Sequence, residues 1–156
     1  HAARGKRNEI AKALLEVAGV DLSVRDGRGW TPLTWAAALG NDPLLADLLA
    51  GNPPEKLGIN AKDNNGRTML SWAAGQGNKE VVERLLAIRG IDVNAADPDN
   101  WTPLTYAVGH GHSETVKVLL CMAKDKIDPD PKDSNGWTPL FTACEQGYKD
   151  IVHQLL

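Results

Sequence analysis

The sequence predicts an all-α fold, a helical solenoid of antiparallel helix pairs with short β-hairpin fingers. A five-residue phrase recurs along the chain, and its first residues, Gly29, Gly66, Asn100 and Gly136, lie 37, 34 and 36 residues apart. Each phrase is followed by apolar doublets at helical spacing and preceded by a polar turn. Because the same pattern returns in every unit, the units are expected to stack side by side instead of sharing one closed core.

The phrase marks the start of a short first helix in each unit. Its copies are Gly29-Trp30-Thr31-Pro32-Leu33, Gly66-Arg67-Thr68-Met69-Leu70, Asn100-Trp101-Thr102-Pro103-Leu104 and Gly136-Trp137-Thr138-Pro139-Leu140. The Thr side chain can accept hydrogen bonds from the N–H groups of the first helical turn. Pro in the next position loses no hydrogen bond, because that N–H would be unpaired in any helix.

A second, more apolar helix is predicted after each phrase. In the central unit the small pair Ala73-Ala74 and then Gly77 precede the doublets Val81-Val82 and Leu85-Leu86. The spacing of these doublets places four apolar side chains on one helix face. The glycine is the expected left-handed stop of the first helix, and the small pair lets neighbouring units approach closely. One helix pair cannot bury this face alone, so stability is expected to come from stacking.

Each phrase is preceded by a polar tight turn that begins with an aspartate. The last residue of every turn is Gly or Asn, the two types that best tolerate positive φ. We expect these turns to project as fingers. Because the aspartate recurs in register, it is interpreted as a turn-capping side chain and not as a catalytic acid. These aspartates are Asp26, Asp63, Asp97 and Asp133.

Composition and motifs argue against several functions. With 17 Lys and Arg against 20 Asp and Glu, no broad attraction to nucleic acid or an anionic membrane is expected. No apolar run reaches the length of a membrane span. Cys121 and Cys144 show no metal-ligand spacing, which suits an intracellular, cytoplasmic location. Cys144 is expected to be a core thiol.

Enzymatic motifs are also missing from the sequence. It contains no phosphate-binding glycine loop, nucleophile-elbow pentapeptide or zinc-protease signature. His110 and His112 are interpreted as structural, because side chains two residues apart on a helix diverge and no third ligand lies nearby in sequence. We therefore expect no enzyme activity, no cofactor and no metal.

The pattern Asp-turn-Gly-x-Thr-Pro-Leu-x-x-Ala-Ala-x-x-Gly resembles the ankyrin repeat over essentially the whole chain. The family usually has His after Thr-Pro-Leu, where this chain has Thr34, Ser71, Thr105 and Phe141. The three hydroxyls are expected to bond between units, whereas Phe141 cannot. The Trp-bearing turns and the link Gly90-Ile91-Asp92-Val93-Asn94 are similar in style to ankyrin arrays of fungal multidomain proteins, including NACHT-type signalling proteins.

The resemblance implies a single ankyrin repeat domain over residues 1–156. Its outer faces are not obviously polar at either end, so we expect a fragment of a longer array. The proline-containing insert 51–56 is expected to be a tolerated surface loop. The expected units are a partial repeat at 1–25 and repeats at about 26–62, 63–96, 97–132 and 133–156.

The resemblance also implies a function, a protein–protein interaction module or scaffold. In the family, partners commonly contact the finger tips and the exposed ends of the first helices. The matching residues are mostly polar or amphipathic with little net charge, so the expected epitope is neutral and hydrogen-bonding. The residues so assigned to partner binding are Arg28, Trp30, Asn64, Asn65, Arg67, Gln76, Asp99, Trp101, His110, Ser134, Asn135, Trp137, Glu145 and Gln146.

Two alternatives to a partner-binding module remain open. The array could be a structural spacer, or a regulatory array attached to a catalytic or signalling domain outside this chain. Self-association through uncapped ends is a further option for the partner.

The aromatic residues leave a second question open. Trp30, Trp101 and Trp137 share one place in the turn, with Arg67 as the exception, and they are expected to line one edge of the solenoid. This row is either an interface, because Trp and Arg dominate binding hot spots, or inter-repeat packing. Packing is favoured for a second set inside the first helices, Trp35, Trp72 and Tyr106.

Overall fold

A computed structural model describes residues 22–50, 52 and 57–156 of the protein. Expectations for the partial first repeat and for most of the insert therefore lie outside the described residues. The described part forms helix pairs in the predicted order. The helices are α1 (Pro32–Ala38), α2 (Asp42–Ala50), α3 (Met69–Gly75), α4 (Lys79–Leu86), α5 (Pro103–Gly109), α6 (Ser113–Met122), α7 (Pro139–Gln146) and α8 (Lys149–Leu155).

The first helix of every pair begins where the phrase predicts. The Thr side chain at each N-cap accepts from the N–H three residues later, so one of the unpaired donors of the first turn is satisfied. The Oγ1 atom of Thr68 accepts from the Ser71 N–H at 3.2 Å although Met69 replaces Pro there. The cap therefore does not depend on the proline.

The helix stops and finger ends require positive φ at two recurring positions. Gly77 after α3 has φ 69°, and Asn100 at the end of a finger has φ 61°. Crowding adds a second constraint at the helix stops, because an added Cβ would lie within 3 Å of a residue of the next repeat. It would meet Asn78 at Gly40 (2.5 Å), His112 at Gly77 (2.6 Å) and Tyr148 at Gly111 (2.9 Å).

The helices stack in two layers, which confirms the solenoid. The first helices α1, α3, α5 and α7 contact one another in order, and the second helices α2, α4, α6 and α8 do the same. The core lies between these layers. In α4 the side chains of Val81, Val82 and Leu85 are at most 1% exposed, and the small pair Ala73-Ala74 is fully buried. The doublets thus face the core as predicted.

The fingers are tight turns and contain no β-strand within the described residues. In the second finger the Asp63 N–H donates to the Arg67 carbonyl at 2.9 Å, and the Gly66 N–H donates to the Asp63 carbonyl at 2.9 Å. A single backbone hydrogen bond joins the first and second fingers, from the Asn64 N–H to the Arg28 carbonyl at 3.0 Å, and another joins the third and fourth, from the Ser134 N–H to the Asp99 carbonyl at 3.0 Å. The third finger has Pro98 at the donor position, which carries no N–H. The β-strand part of the predicted hairpins is therefore not confirmed.

Asparagine side chains join the links that follow the second helices. Asn60 donates to the Gly90 carbonyl at 2.8 Å and accepts from the Asp92 N–H at 2.8 Å. One repeat later, Asn94 donates to the Lys126 carbonyl at 2.7 Å and accepts from the next link at 2.8 Å. Each amide thereby satisfies two backbone groups of the neighbouring repeat.

The predicted roles of the three hydroxyls and of Cys144 differ from the structure. The hydroxyls of Thr34, Ser71 and Thr105 bond within their own repeat, each 3.1 Å from the Oγ1 atom of the cap Thr, and not between repeats. Cys144 is exposed and is not a core thiol. The equivalent Ala37 and Ala74 are buried against the following first helix, whereas no described first helix follows α7.

Truncation of a central core residue tests the stacking directly. Leu85 in α4 is fully buried, and Leu85→Ala is expected to cost about 2–5 kcal/mol of unfolding free energy. Because each repeat contacts only its neighbours, the loss is expected to uncouple the two halves and broaden the urea unfolding transition followed by circular dichroism. Leu156→Ala, at an 86% exposed site, is the control. A single sharp transition at an unchanged midpoint would contradict this expectation.

An ion pair between α2 and α4 gives a pH-dependent prediction. Arg84 donates to both carboxylate oxygens of Asp42, at 2.5 and 2.8 Å, and this hydrogen bonding lowers the pKa of Asp42. A lowered folded-state pKa stabilises the fold above the unfolded-state pKa, and that contribution is lost as the pH falls through the folded-state value. The pair is solvent-accessible, so this contribution is below about 1 kcal/mol.

Arg84→Met is expected to raise the pKa of Asp42 toward its ordinary value, measured by NMR titration of the carboxyl carbon. Arg89→Met, at an exposed position nearby in the chain, serves as the matched control and is expected to leave the titration unchanged. An Asp42 titration that is identical in wild type and Arg84→Met would refute the assignment.

Candidate functional site

Each finger is held to its own repeat by the aspartate that begins it. In the second finger, Oδ1 of Asp63 accepts from the backbone N–H groups of Asn65 at 2.8 Å and Arg67 at 3.0 Å. Its Oδ2 accepts from two indoles, Trp72 Nε1 at 2.8 Å and Trp30 Nε1 at 3.0 Å. The carboxylate is buried, and these four donors compensate for its loss of water.

The other fingers share the turn-capping half of this arrangement, as predicted. The backbone bonds to Oδ1 recur at Asp26, and the donation from the Trp30 N–H is the main cause that lowers the pKa of Asp26. The aromatic bond to Oδ2 also recurs in the first and third repeats, from Trp35 at 3.0 Å and from the Tyr106 hydroxyl. Burial, and then the bond to Asp97, raises the pKa of Tyr106.

The fourth repeat breaks this pattern. The residue nine positions after Asp133 is Thr142, where the earlier repeats have Trp or Tyr. Oδ1 of Asp133 still accepts from the N–H groups of Asn135 at 2.8 Å and Trp137 at 2.9 Å. Within the described residues no side chain donates to Oδ2 of Asp133.

The tryptophan row divides between packing and exposure. Trp30 is 7% exposed and packs on Trp72 of the next repeat with ring centroids 4.6 Å apart, so it acts in inter-repeat packing. Trp101 is half-buried. Trp137 is 39% exposed and packs edge-on against Phe141, which is itself 53% exposed. The row is therefore not a uniform exposed edge, and little of Trp30 is accessible to a partner.

The aromatic residues inside the first helices pack to different degrees. Tyr106 is buried and Trp72 is half-buried, as the packing interpretation predicts. Trp35 differs, with 39% of its surface exposed, although its ring packs edge-on against Trp30. Their shared bond to a finger aspartate was not anticipated from the sequence.

Arg28 and Arg67, from the first two described repeats, lie against aromatic rings. The Arg67 guanidinium is 4.8 Å from the Trp72 ring centroid and 4.4 Å from that of Tyr106. The Arg28 guanidinium lies 5.9 Å from Trp30 and 6.0 Å from Trp35. All four distances fall within the range of cation–π attraction.

A groove of about 490 Å³ lies between the third and fourth fingers and α5, and we call it the finger groove. Three of its lining residues, Asp97, Tyr106 and Asp133, were not predicted as site residues. For Asp97 and Tyr106 the signal in the sequence is the nine-residue spacing from a finger aspartate to an aromatic residue, and for Asp133 it is the aspartate that begins every finger. The groove brings together six of the predicted partner-binding residues, namely Arg67, Asp99, Trp101, His110, Ser134 and Asn135.

The remaining predicted residues lie outside the finger groove. Exposed side chains are found at Arg28, Asn64, Asn65, Gln76, Trp137, Glu145 and Gln146. Asn64 has a structural bond as well, because its amide donates to the Gly27 carbonyl of the preceding finger at 3.0 Å. The structure thus places the predicted set along the fingers and first-helix ends, with one local concentration in the groove.

The two histidines stand at the junction of α5 and α6. Their rings are parallel with centroids 6.1 Å apart, and so do not diverge as expected, because α5 ends at Gly109. His112 contacts the Gly75 carbonyl through Nε2 at 3.0 Å, and thereby joins two repeats. His110 contacts the Tyr106 carbonyl through Nδ1 at 2.9 Å.

Comparison with known proteins agrees with this architecture. Residues 1–97 and 90–156 match the family model described as ankyrin repeats (3 copies). This chain belongs to the ankyrin repeat family. The comparison with curated proteins gave no match. Ankyrin repeats are generally protein–protein interaction modules, and the family is typically non-catalytic.

In the described part of the ankyrin array, no helix has both the length and the apolar character needed to cross a bilayer.

Removal of a finger carboxylate tests the hydrogen-bond arrangement. Asp63→Ala leaves two indole and two backbone donors without an acceptor and is expected to cost about 2–4 kcal/mol. Asp133→Ala removes two backbone bonds and is expected to cost about 1 kcal/mol. Urea unfolding followed by tryptophan fluorescence measures both changes. Equal losses for the two variants would show that the indole bonds do not stabilise the fold.

Proposed function

We propose that this ankyrin array is an intracellular protein-recognition module, acting as a scaffold that holds its partner against the finger tips and exposed first-helix ends. The observation that carries the proposal is the finger groove, which collects six residues of the surface that the family uses for binding. Its polar side chains project from a backbone that is already fixed by hydrogen bonds.

Preorganisation of the fingers favours binding. The Asp133 carboxylate holds the backbone of the fourth finger at two points, and the Ser134 N–H donates to the Asp99 carbonyl of the third finger at 3.0 Å. A partner that contacts Asn135 or Ser134 therefore meets side chains on an ordered turn. Less conformational entropy is lost on association when the binding surface is already ordered.

The proposed surface can be tested by photo-crosslinking, with the second-helix layer as the negative control. Lys117 is an exposed residue of α6, within that layer, whereas Asn65 and Asn135 are exposed finger residues whose side chains cap no turn. A photo-crosslinking residue can replace any of the three without removing a core contact.

The test begins with selection of ligands from a random-peptide display library. An enriched peptide is then photo-crosslinked to variants that carry benzoylphenylalanine at Asn65, Asn135 or Lys117. We expect crosslinks from the two finger positions and background yield from Lys117. Equal yields at all three positions, or crosslinks from Lys117 alone, would overturn the proposed surface. Failure to enrich any peptide would favour the structural-spacer alternative.

A further inference from the structure

The array provides its own example of a bound cation near a finger aspartate. Arg67 stands where the other fingers have Trp, and its guanidinium lies over Tyr106, the residue whose hydroxyl donates to Asp97. The combination is a cation, an aromatic face and a finger carboxylate. In this second-to-third finger junction all three components come from the chain itself.

At the next junction two of the three components are present. Trp101 is half-buried, packs against Tyr106 at 5.1 Å and lies over Gly109, where an added Cβ would meet its ring at 3.1 Å. Its indole consequently does not donate to Asp133 as Trp30 donates to Asp63. Among the described residues, no Lys or Arg lies over the Trp101 ring.

Two carboxylates of the finger groove can still accept hydrogen bonds from a ligand. Within the part of the chain that the structure describes, no side chain donates to Oδ2 of Asp133, because Thr142 replaces the aromatic residue of earlier repeats. Asp99 is exposed, and its carboxylate takes part in no hydrogen bond or ion pair in the described part of the chain. Among the described residues Arg67 is the one Lys or Arg that lines the groove, and its guanidinium already lies over the rings of Trp72 and Tyr106.

From this we infer that the finger groove binds a lysine or arginine side chain of the protein partner. The aliphatic stem lies along Trp101, and the cationic head lies between the carboxylates of Asp99 and Asp133. This inference rests on the proposed function and adds the chemistry of the partner. It also revises the neutral epitope that the sequence predicts, because the groove is locally acidic where its charges are unpaired.

The test uses small probes that carry only the proposed chemistry. The N-acetyl N-methylamides of lysine and arginine are titrated into ¹⁵N-labelled protein, with the neutral norleucine analogue as reference. The chain has 5 Trp residues, and the indole N–H resonance of Trp101 is assigned with Trp101→Phe. We expect saturable shifts of this resonance, with affinity for the cationic probes at least about fivefold above that for norleucine.

Matched variants separate the site from general electrostatics. The double variant Asp99→Asn/Asp133→Asn keeps an oxygen acceptor for the finger backbone and is expected to abolish the preference for cations. Asp125→Asn removes one charge at an exposed position outside the groove, as Asp99→Asn alone removes one within it, and is expected to keep the preference for cations. Asp99→Asn alone alters no described side-chain bond, so a weaker response in that variant cannot come from misfolding.

Two results would overturn the inference: no preference for the cationic probes over norleucine, or an equal loss of preference in the Asp125→Asn variant. The peptide crosslinking experiment is independent of both. Finger-tip crosslinks without a cation preference would support the recognition module and refute only the cation site.

Discussion

Close stacking of the first helices is the constraint on which the rest of the structure depends. The small residues Ala36, Ala37, Ala73 and Ala74 are fully buried, so adjacent first helices approach without large side chains between them. This spacing allows backbone hydrogen bonds between fingers, from the Asn64 N–H to the Arg28 carbonyl and from the Ser134 N–H to the Asp99 carbonyl. A bulkier residue at these positions would separate the helices and therefore also the binding surface.

The fold could be predicted from the sequence because its determinants are local and repeated. Thr caps, left-handed glycines and doublets at helical spacing each act within a few residues, and each returns in register. Predictions failed where the environment of a residue depends on a neighbouring element that is not present in every repeat. Cys144 has the sequence position of a buried residue, yet burial there requires a following first helix.

The site was less predictable for the same physical reason. Trp30 and Trp101 occupy equivalent positions in the phrase, but one indole donates to the aspartate of the next finger and the other lies over Gly109. The position that each indole adopts depends on aromatic rings of adjacent repeats. The residue spacing within one repeat does not reveal these contacts. The bond that an aromatic side chain donates to the finger aspartate had a signal in the sequence, the nine-residue spacing, but the structure was needed to show that the two residues are hydrogen-bonded.

The glycines that end the first helices do more than reverse the chain. Gly40, Gly77 and Gly111 are approached by Asn78, His112 and Tyr148 of the following repeats, three side chains of different size and shape. Each contact between neighbouring repeats thus has a glycine on one side and a side chain that differs from repeat to repeat on the other. Exchange of that side chain would therefore change the contact between two neighbouring repeats without altering any helix.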